Sequence, residues 1–417
     1  MIMGLLVVTV FILAFTMVAK RLSSTMLTAP MVFIAFGLLL SRTGLFPHIE
    51  AERLLHLTAE VALVLLLFLD AAQIDLHALS RRRVWPLRML LIGLPLAILF
   101  GALAAWLLLP TWPIFALFLI ASILAPTDAA LGQAVVTNPI VPERPREALS
   151  VESGLNDGLA LPAILLFASL TAGEMSRDEG DWLVFGIKQL TLGPLVGAVM
   201  GLAGGVILLR AKDLNLTSTI YEGVGALALA GAAFLAATAV GGNGFISAFV
   251  AGMCFGNQVK GRCKFIYDFT ESEGQLITWS AFLLIGLALV PEALSQLTLT
   301  SLTLILLSLF VVRPLAIWLS LIGTDASADT RLFFGWFGPR GLATALFALL
   351  VVGHSAHELA RPILMLAVNA VWISALLHGL SAAPGARWYA KRIKAKGECA
   401  EIRKIQTVAK PLVTRNG

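Results

Sequence analysis

Charge is what this chain has least of. Lys, Arg, Asp and Glu make up 13% of its 417 residues, whereas 58% are hydrophobic and the mean hydropathy is +0.89. A soluble domain carries charge on about a quarter of its residues, so roughly half the polar coat of a water-facing globule is missing. Runs of about 20 apolar residues recur from one end to the other, and membrane hydrocarbon is the solvent that fits them. A soluble enzyme, a nucleic-acid-binding protein and a disordered chain are excluded. Cysteine is also scarce. Cys254, Cys263 and Cys399, odd in number and without CxxC spacing, argue against a disulfide framework and a metal cluster. No polar stretch is long enough for a soluble domain, the longest being the tail after about Leu380. Met1 to Lys20 lacks a basic n-region and a small-residue cleavage site, so it is expected to stay as the first span.

What is present is a series of apolar windows bounded by charge, Pro or Gly. They predict about thirteen spans, near 2–19, 26–40, 55–72, 84–109, 112–136, 146–171, 186–209, 218–239, 243–257, 272–290, 298–321, 332–353 and 361–381, with 218–257 open to a different division. Backbone groups in lipid need partners within their own segment, and the lengths exceed those of barrel strands, so the expected fold is an all-α polytopic membrane protein. One set of alternate loops holds thirteen Lys and Arg, among them Arg81, Arg82, Arg83, Arg144, Lys212 and Lys264; the other holds four, Arg42, Arg53, Arg177 and Arg361. The richer side also receives the tail, where Arg387 to Arg415 carries nine basic residues against Glu398 and Glu401. An odd span count, an N-terminus outside and a C-terminus in the cytoplasm follow. The chain thus divides into a transmembrane domain, 1–384, and a basic cytoplasmic tail, 385–417.

A charge at mid-membrane costs about 2.5 to 3.5 kcal/mol even on the lenient insertion scale, which makes each survivor a functional candidate. The candidates are Asp70 in the third span, Asp128 in the fifth, Glu152 and Asp157 in the sixth, Arg313 in the eleventh and Arg340 in the twelfth. Glu60, Arg88, Lys188 and Glu222 lie nearer span ends and are expected to snorkel to the headgroups. In the fifth span Pro126 removes a backbone donor and disfavours helix at Ala125, so the helix should break beside Thr127 and Asp128, turning freed carbonyls and a carboxylate to one point. The sixth span contains Glu152-Ser153-Gly154-Leu155-Asn156-Asp157-Gly158. Its i,i+4 spacing places two carboxylates, an amide and a hydroxyl on one face, all oxygen ligands or potential ones for a hard cation. Arg313 stays protonated and needs a permanent carboxylate partner. Gly338-Pro339-Arg340-Gly341 is a second interruption, seven spans after the first, so the two broken helices run in opposite directions as an inverted repeat requires.

At Pro126-Thr127-Asp128, Glu152 to Asp157, Arg313-Pro314-Leu315 and Gly338 to Gly341 the sequence resembles the monovalent cation/proton antiporter family, in the NhaP-like branch related to sodium/proton exchangers. The resemblance covers nearly the whole chain. It implies an inverted-repeat fold with two broken crossing helices, with core helices near 84–171 and 298–381 moving against a dimerising scaffold in the cytoplasmic membrane. Asp157 would alternate between proton and cation, and Asp128, Thr127 and Ser153 would complete a transient monovalent-cation site. Asn156 stands where electrogenic relatives carry a second Asp, which implies electroneutral one-for-one exchange serving pH and sodium homeostasis. Glu152 and Arg313 would form a structural pair. Asp70 resembles an acid that contacts the pathway in some members, the alternative being an acid at the inner rim. Arg340 would shape the crossing helices or the cytoplasmic funnel. Sodium or lithium is the first-choice substrate and potassium the second, with no cofactor. A cation channel would use the same oxygens. An intramembrane aspartyl protease lacks its Tyr-Asp and Gly-x-Gly-Asp settings, and His354, His357 and Glu358 lack the HExxH order of a metalloenzyme.

Overall fold

The computed structural model describes residues 2–22, 27–46, 48–74, 76, 84–136, 138–175, 179–260, 262, 274–354 and 358–402. Arg81, Arg82, Arg83, Arg177, Cys263, Lys264, His357 and the tail beyond Ile402, all used in the sequence reading, lie outside them.

Thirteen helical passes run through the described residues. They are α1 (Ile2–Leu22), α2 (Ala29–Ser41), α3 (His48–Ala72), α4 (Val84–Leu108), α5 in two halves (Ile114–Leu124 and Ala129–Val136), α6 (Glu143–Met175), α7 (Glu179–Asp213), α8 (Thr219–Ala239), α9 (Gly244–Val259), α10 (Gln275–Ala288), α11 (Leu299–Ser320), α12 in two halves (Ala328–Trp336 and Leu342–His354) and α13 (Ala360–Ala395). Seven contain a helix long and apolar enough to cross a membrane by itself, and shorter apolar helices account for most of the others. The open stretch at 218–257 divides at Gly241-Gly242, where Gly241 takes a positive φ and Asn243 caps α9 through its side chain. α13 runs past the expected boundary at 384/385 to Ala395, because hydropathy marks where lipid ends and a helix can continue into water.

Two packing neighbourhoods position the site. In the first, α7 and α9 approach backbone to backbone along a four-residue ladder: a Cβ on Gly197 or Gly201 would run into the carbonyls of Ser247 and Ala251. α9 meets α3 in the same way, Gly252 and Gly256 lying on the Phe68 and Ala72 carbonyls, and α2 meets α10 through Gly37 and Gly286. Small residues are how helices pack closely where lipid removes the hydrophobic drive between them. The second neighbourhood holds α4, α5, α6, α11, α12 and α13.

α4 and α11 share a feature. Each contains a π-turn, Met89–Gly93 and Ser308–Val312, followed by Leu94-Pro95 and Arg313-Pro314 respectively. Proline lacks the donor that the carbonyl four residues earlier would use, and a wide turn re-registers the helix around it. These helices are seven passes apart, as α5 and α12 are, so both pairs carry the inverted repeat.

Of the span-end charges, Glu60 and Lys188 are exposed, as a headgroup-facing residue should be. Glu222 is a correction. It is buried, with its carboxylate 2.8 Å from Lys212 Nζ, because the short 214–218 turn folds the start of α8 back onto the end of α7.

Candidate functional site

Both breaks fall where the prolines and glycines place them, α5 opening over 125–128 and α12 over 337–341. The two open segments cross and are bonded to each other. Asp128 N–H donates to the Pro339 carbonyl at 2.9 Å. The Asp128 carboxylate accepts from Leu131 N at 3.3 Å and from Leu342 N at 2.7 Å, so one side chain caps the second halves of both α5 and α12. In the opposite sense, Arg340 donates to the Ala125 and Pro126 carbonyls at 2.9 and 3.2 Å and closes the first half of α5. A carboxylate at two helix starts and a guanidinium at a helix end each complement the helix dipole. Arg340 thus bonds the open segment of α12 to that of α5. The glycines flanking it are spatial requirements, since a Cβ on Gly341 would occupy the Asp128 carboxylate and one on Gly338 the Arg313 guanidinium.

Arg313 and Glu152 form the expected pair, bidentate at 3.1 and 3.2 Å, with both side chains 4% exposed. The π-turn of α11 lies directly before Arg313. Around the pair lie buried polar groups. Thr127 Oγ1 lies 3.2 Å from both Glu152 Oε2 and Ser153 Oγ, and the Asn156 amide donates to Thr127 Oγ1 at 2.5 Å and to Glu152 Oε1 at 3.4 Å. Asn156 thus turns toward the ion pair, and its own Oδ1 is left without a partner among the described residues.

Asp157 is placed differently. It is partly accessible, as Asp70 and Asp128 are, whereas Glu152, Asn156, Arg313 and Arg340 are buried. Asp128, Asp70 and Glu152 lie within electrostatic reach of it, and its buried Oδ1 has no hydrogen-bond partner among the described residues. Asp70 belongs to this group because the end of α3 packs on α6 at Gly154, whose Cβ position faces Ile74 and the Asp70 carbonyl. On the other side of Asp157 the Phe249 ring of α9 covers Gly158, so that glycine makes room for a neighbouring helix. The four acids face two guanidinium groups. Glu152 is paired with Arg313 and Asp128 is engaged by helix starts, whereas the buried Oδ1 of Asp157 meets no hydrogen-bond donor among the described residues.

Sequence reasoning missed the support given by α13. Ser374 Oγ accepts from Arg340 N–H at 2.7 Å, and His378 Nε2 lies 2.9 Å from the Trp336 carbonyl, the last of the first half of α12. A histidine in an apolar span was the available signal, hidden because only residues charged at neutral pH were counted.

A family model described as "Sodium/hydrogen exchanger, transmembrane" matches residues 6–388. The K(+)/H(+) antiporter NhaP2 of Shewanella sp. (strain ANA-3) is 29% identical over 402 residues, which cover 93% of this chain and 65% of that protein. The K(+)/H(+) antiporter NhaP of Alkalimonas amylolytica is 28% identical over 380 residues, 89% of this chain and 64% of that one. The chain therefore spans about 65% of the length of these relatives. The structure of the sodium proton antiporter MjNhaP1 from Methanocaldococcus jannaschii at pH 8 matches with a TM-score of 0.75 at 19% identity, covering 93% of this chain and 99% of that one, and shows the same fold. Since the family match runs through both broken helices and every charged residue at their crossing, the chain belongs to the transmembrane sodium/hydrogen exchanger family.

Proposed function

We propose that the protein is a secondary antiporter that exchanges a monovalent cation for a proton at Asp157. The observation that carries this reading is a partly accessible carboxylate with a free buried oxygen, beside Asp128 and Asp70 and next to a Glu152 already neutralised by Arg313. Proton and cation compete for the same oxygens, Asp157 being the exchanging group and Asp128, Thr127, Ser153 and Asp70 its neighbours. With either ligand bound the site carries similar charge and can cross; empty and ionised, it would drag an uncompensated charge through the barrier. The moving unit is the neighbourhood of α4 to α6 and α11 to α13, and the glycine-packed neighbourhood of α3, α7 and α9 serves as scaffold within a homodimer. The N-terminus faces outward and the basic tail faces the cytoplasm, in accordance with the loop charges.

Asn156 carries no charge and turns to the Glu152 cluster, which supports a one-for-one, electroneutral exchange. Sodium or lithium is the preferred cargo. Potassium is the second reading, favoured by the names of the Shewanella and Alkalimonas relatives. The test is proton flux into everted vesicles holding the intact protein, with sodium, lithium, potassium and calcium compared across pH and with ionophore added to collapse the potential. The expected result is saturable flux with sodium or lithium that the ionophore leaves intact. Flux that builds a potential would overturn the stoichiometry, and cation movement without protons would make the protein a channel.

A further inference from the structure

The interrupted segment of α12 is held at both ends by one turn of α13. His378 is buried, its ring stacked on Trp336 with centroids 4.9 Å apart at 26°. Nε2 lies 2.9 Å from the Trp336 carbonyl; Nδ1 lies 3.1 Å from Ser374 Oγ and 2.9 Å from the Ser374 carbonyl. Both carbonyls can only accept and a neutral ring has one N–H: on Nε2 that proton bonds the Trp336 carbonyl and leaves Nδ1 to accept from the Ser374 hydroxyl, whereas on Nδ1 it bonds the Ser374 carbonyl. That hydroxyl in turn accepts from Arg340 N–H at 2.7 Å. With the proton on Nε2, the tautomer the clamp requires, the bonds form one chain, from Arg340 N–H to Ser374 Oγ, from Ser374 O–H to His378 Nδ1, and from His378 Nε2–H to the Trp336 carbonyl. The chain spans the break, with Trp336 on one side and Arg340 on the other, and Asp128 is bonded between them to the Pro339 carbonyl.

We propose that Ser374 and His378 are positioning residues for ion exchange, a clamp from α13 that fixes the open segment of α12 and through it the aim of Arg340 and the seat of Asp128. The physical case is a matter of satisfaction. The break releases the Arg340 amide from a helical partner and leaves the Trp336 carbonyl with the Gly338 amide at 2.8 Å and a second lone pair to satisfy, and buried backbone groups short of partners are costly. Two side chains one turn apart on a continuous helix supply the partner of the Arg340 amide and a second partner of the Trp336 carbonyl in a fixed relation. The open segment therefore travels with α13 as one piece when the site moves. This inference rests on the antiport reading.

The test uses the full chain in vesicles, with His378→Phe, His378→Gln and Ser374→Ala compared with the parent at matched membrane amounts. Phenylalanine keeps ring volume and stacking and loses the donor; glutamine loses the ring and can still donate from its amide to the Trp336 carbonyl. The expected result is a roughly tenfold fall in maximal cation-driven proton flux for Phe and a substantial recovery for Gln, the scale on which one buried hydrogen bond acts. In parallel, amide hydrogen exchange at Arg340 should rise in Ser374→Ala. Flux from the Phe variant equal to the parent's, or a Gln variant no better than Phe, would overturn the clamp. If the intact protein gave no cation-driven proton flux, the function proposed above would fall, and the exchange arm would still decide the clamp: unchanged protection of Arg340 in Ser374→Ala overturns it.

Discussion

Charges in hydrocarbon have to be answered one by one, and at the crossing each answer is a particular atom. Glu152 and Arg313 answer one another. Glu152→Gln leaves a buried guanidinium facing a neutral amide, and the expected cost is about 3 to 5 kcal/mol of stability, read as a lower thermal midpoint in detergent. A Glu152→Gln protein with the parent's midpoint and cation affinity but no turnover would contradict that structural assignment. Gly341 gives a sharper case, because an added Cβ would occupy the Asp128 carboxylate. Gly341→Ala should therefore abolish exchange, whereas Gly132→Ala, with open space around its Cβ position, should keep it in the same vesicle assay. That Arg313 needs a carboxylate was legible in the sequence because a permanent membrane cation demands a permanent anion, and the choice of Glu152 came from the resemblance to the antiporter family. The caps made by Asp128 and Arg340 were not, because their partners are backbone amides and carbonyls, which every residue has and no pattern announces.

Among the elements, the breaks in α5 and α12 follow from Pro126 and from Gly338-Pro339, and they were predictable to within a few residues. The π-turns were not, since proline predicts a disturbance and leaves its form open. The turn in α11 takes up one extra residue ahead of Arg313, whose N–H bonds to the Ser308 carbonyl five residues back, so deleting Phe310 should leave an ordinary helix with Arg313 still aimed at Glu152. The deletion should therefore lower the thermal midpoint less than Glu152→Gln, and a larger loss would show that the wide turn itself is required. Beyond the membrane, the segment after α13 returns to the start of α12. Glu401 accepts from Thr330 Oγ1 at 2.6 Å and from Ser327 N at 3.0 Å. Burial alone would push its carboxyl up, but these hydrogen bonds outweigh it and hold it at about 2. A depressed carboxyl contributes stability above its unfolded pKa and loses it as pH falls toward the folded one. The return segment should thus stay docked at neutral pH and loosen only between about pH 4.3, the ordinary glutamate value, and about 2. Limited proteolysis after α13 checks this, and release near pH 6 would contradict it.

For the whole molecule, thirteen passes with an odd count tie the tail to the side rich in Lys and Arg. Cys399 is a partly accessible native probe beyond the last span. With Cys254 and Cys263 replaced, a membrane-impermeant thiol reagent should label Cys399 in everted vesicles and spare it in right-side-out ones, and the reverse pattern would invert the topology. The passes themselves were readable from hydropathy, since lipid imposes length and apolarity on each. What hydropathy could not supply was which passes lie together, because the α7–α9–α3 ladder depends on glycine carbonyl contacts and the crossing on backbone bonds. Beside the crossing lies Asp157, whose buried Oδ1 has no hydrogen-bond partner among the described residues. The most direct measurement is cation-driven proton flux in everted vesicles carrying Asp157→Asn at the parent's membrane abundance. Sodium and potassium alike should fail to move protons if Asp157 is the exchanging carboxyl; sodium-driven proton flux at the parent's level would contradict that role.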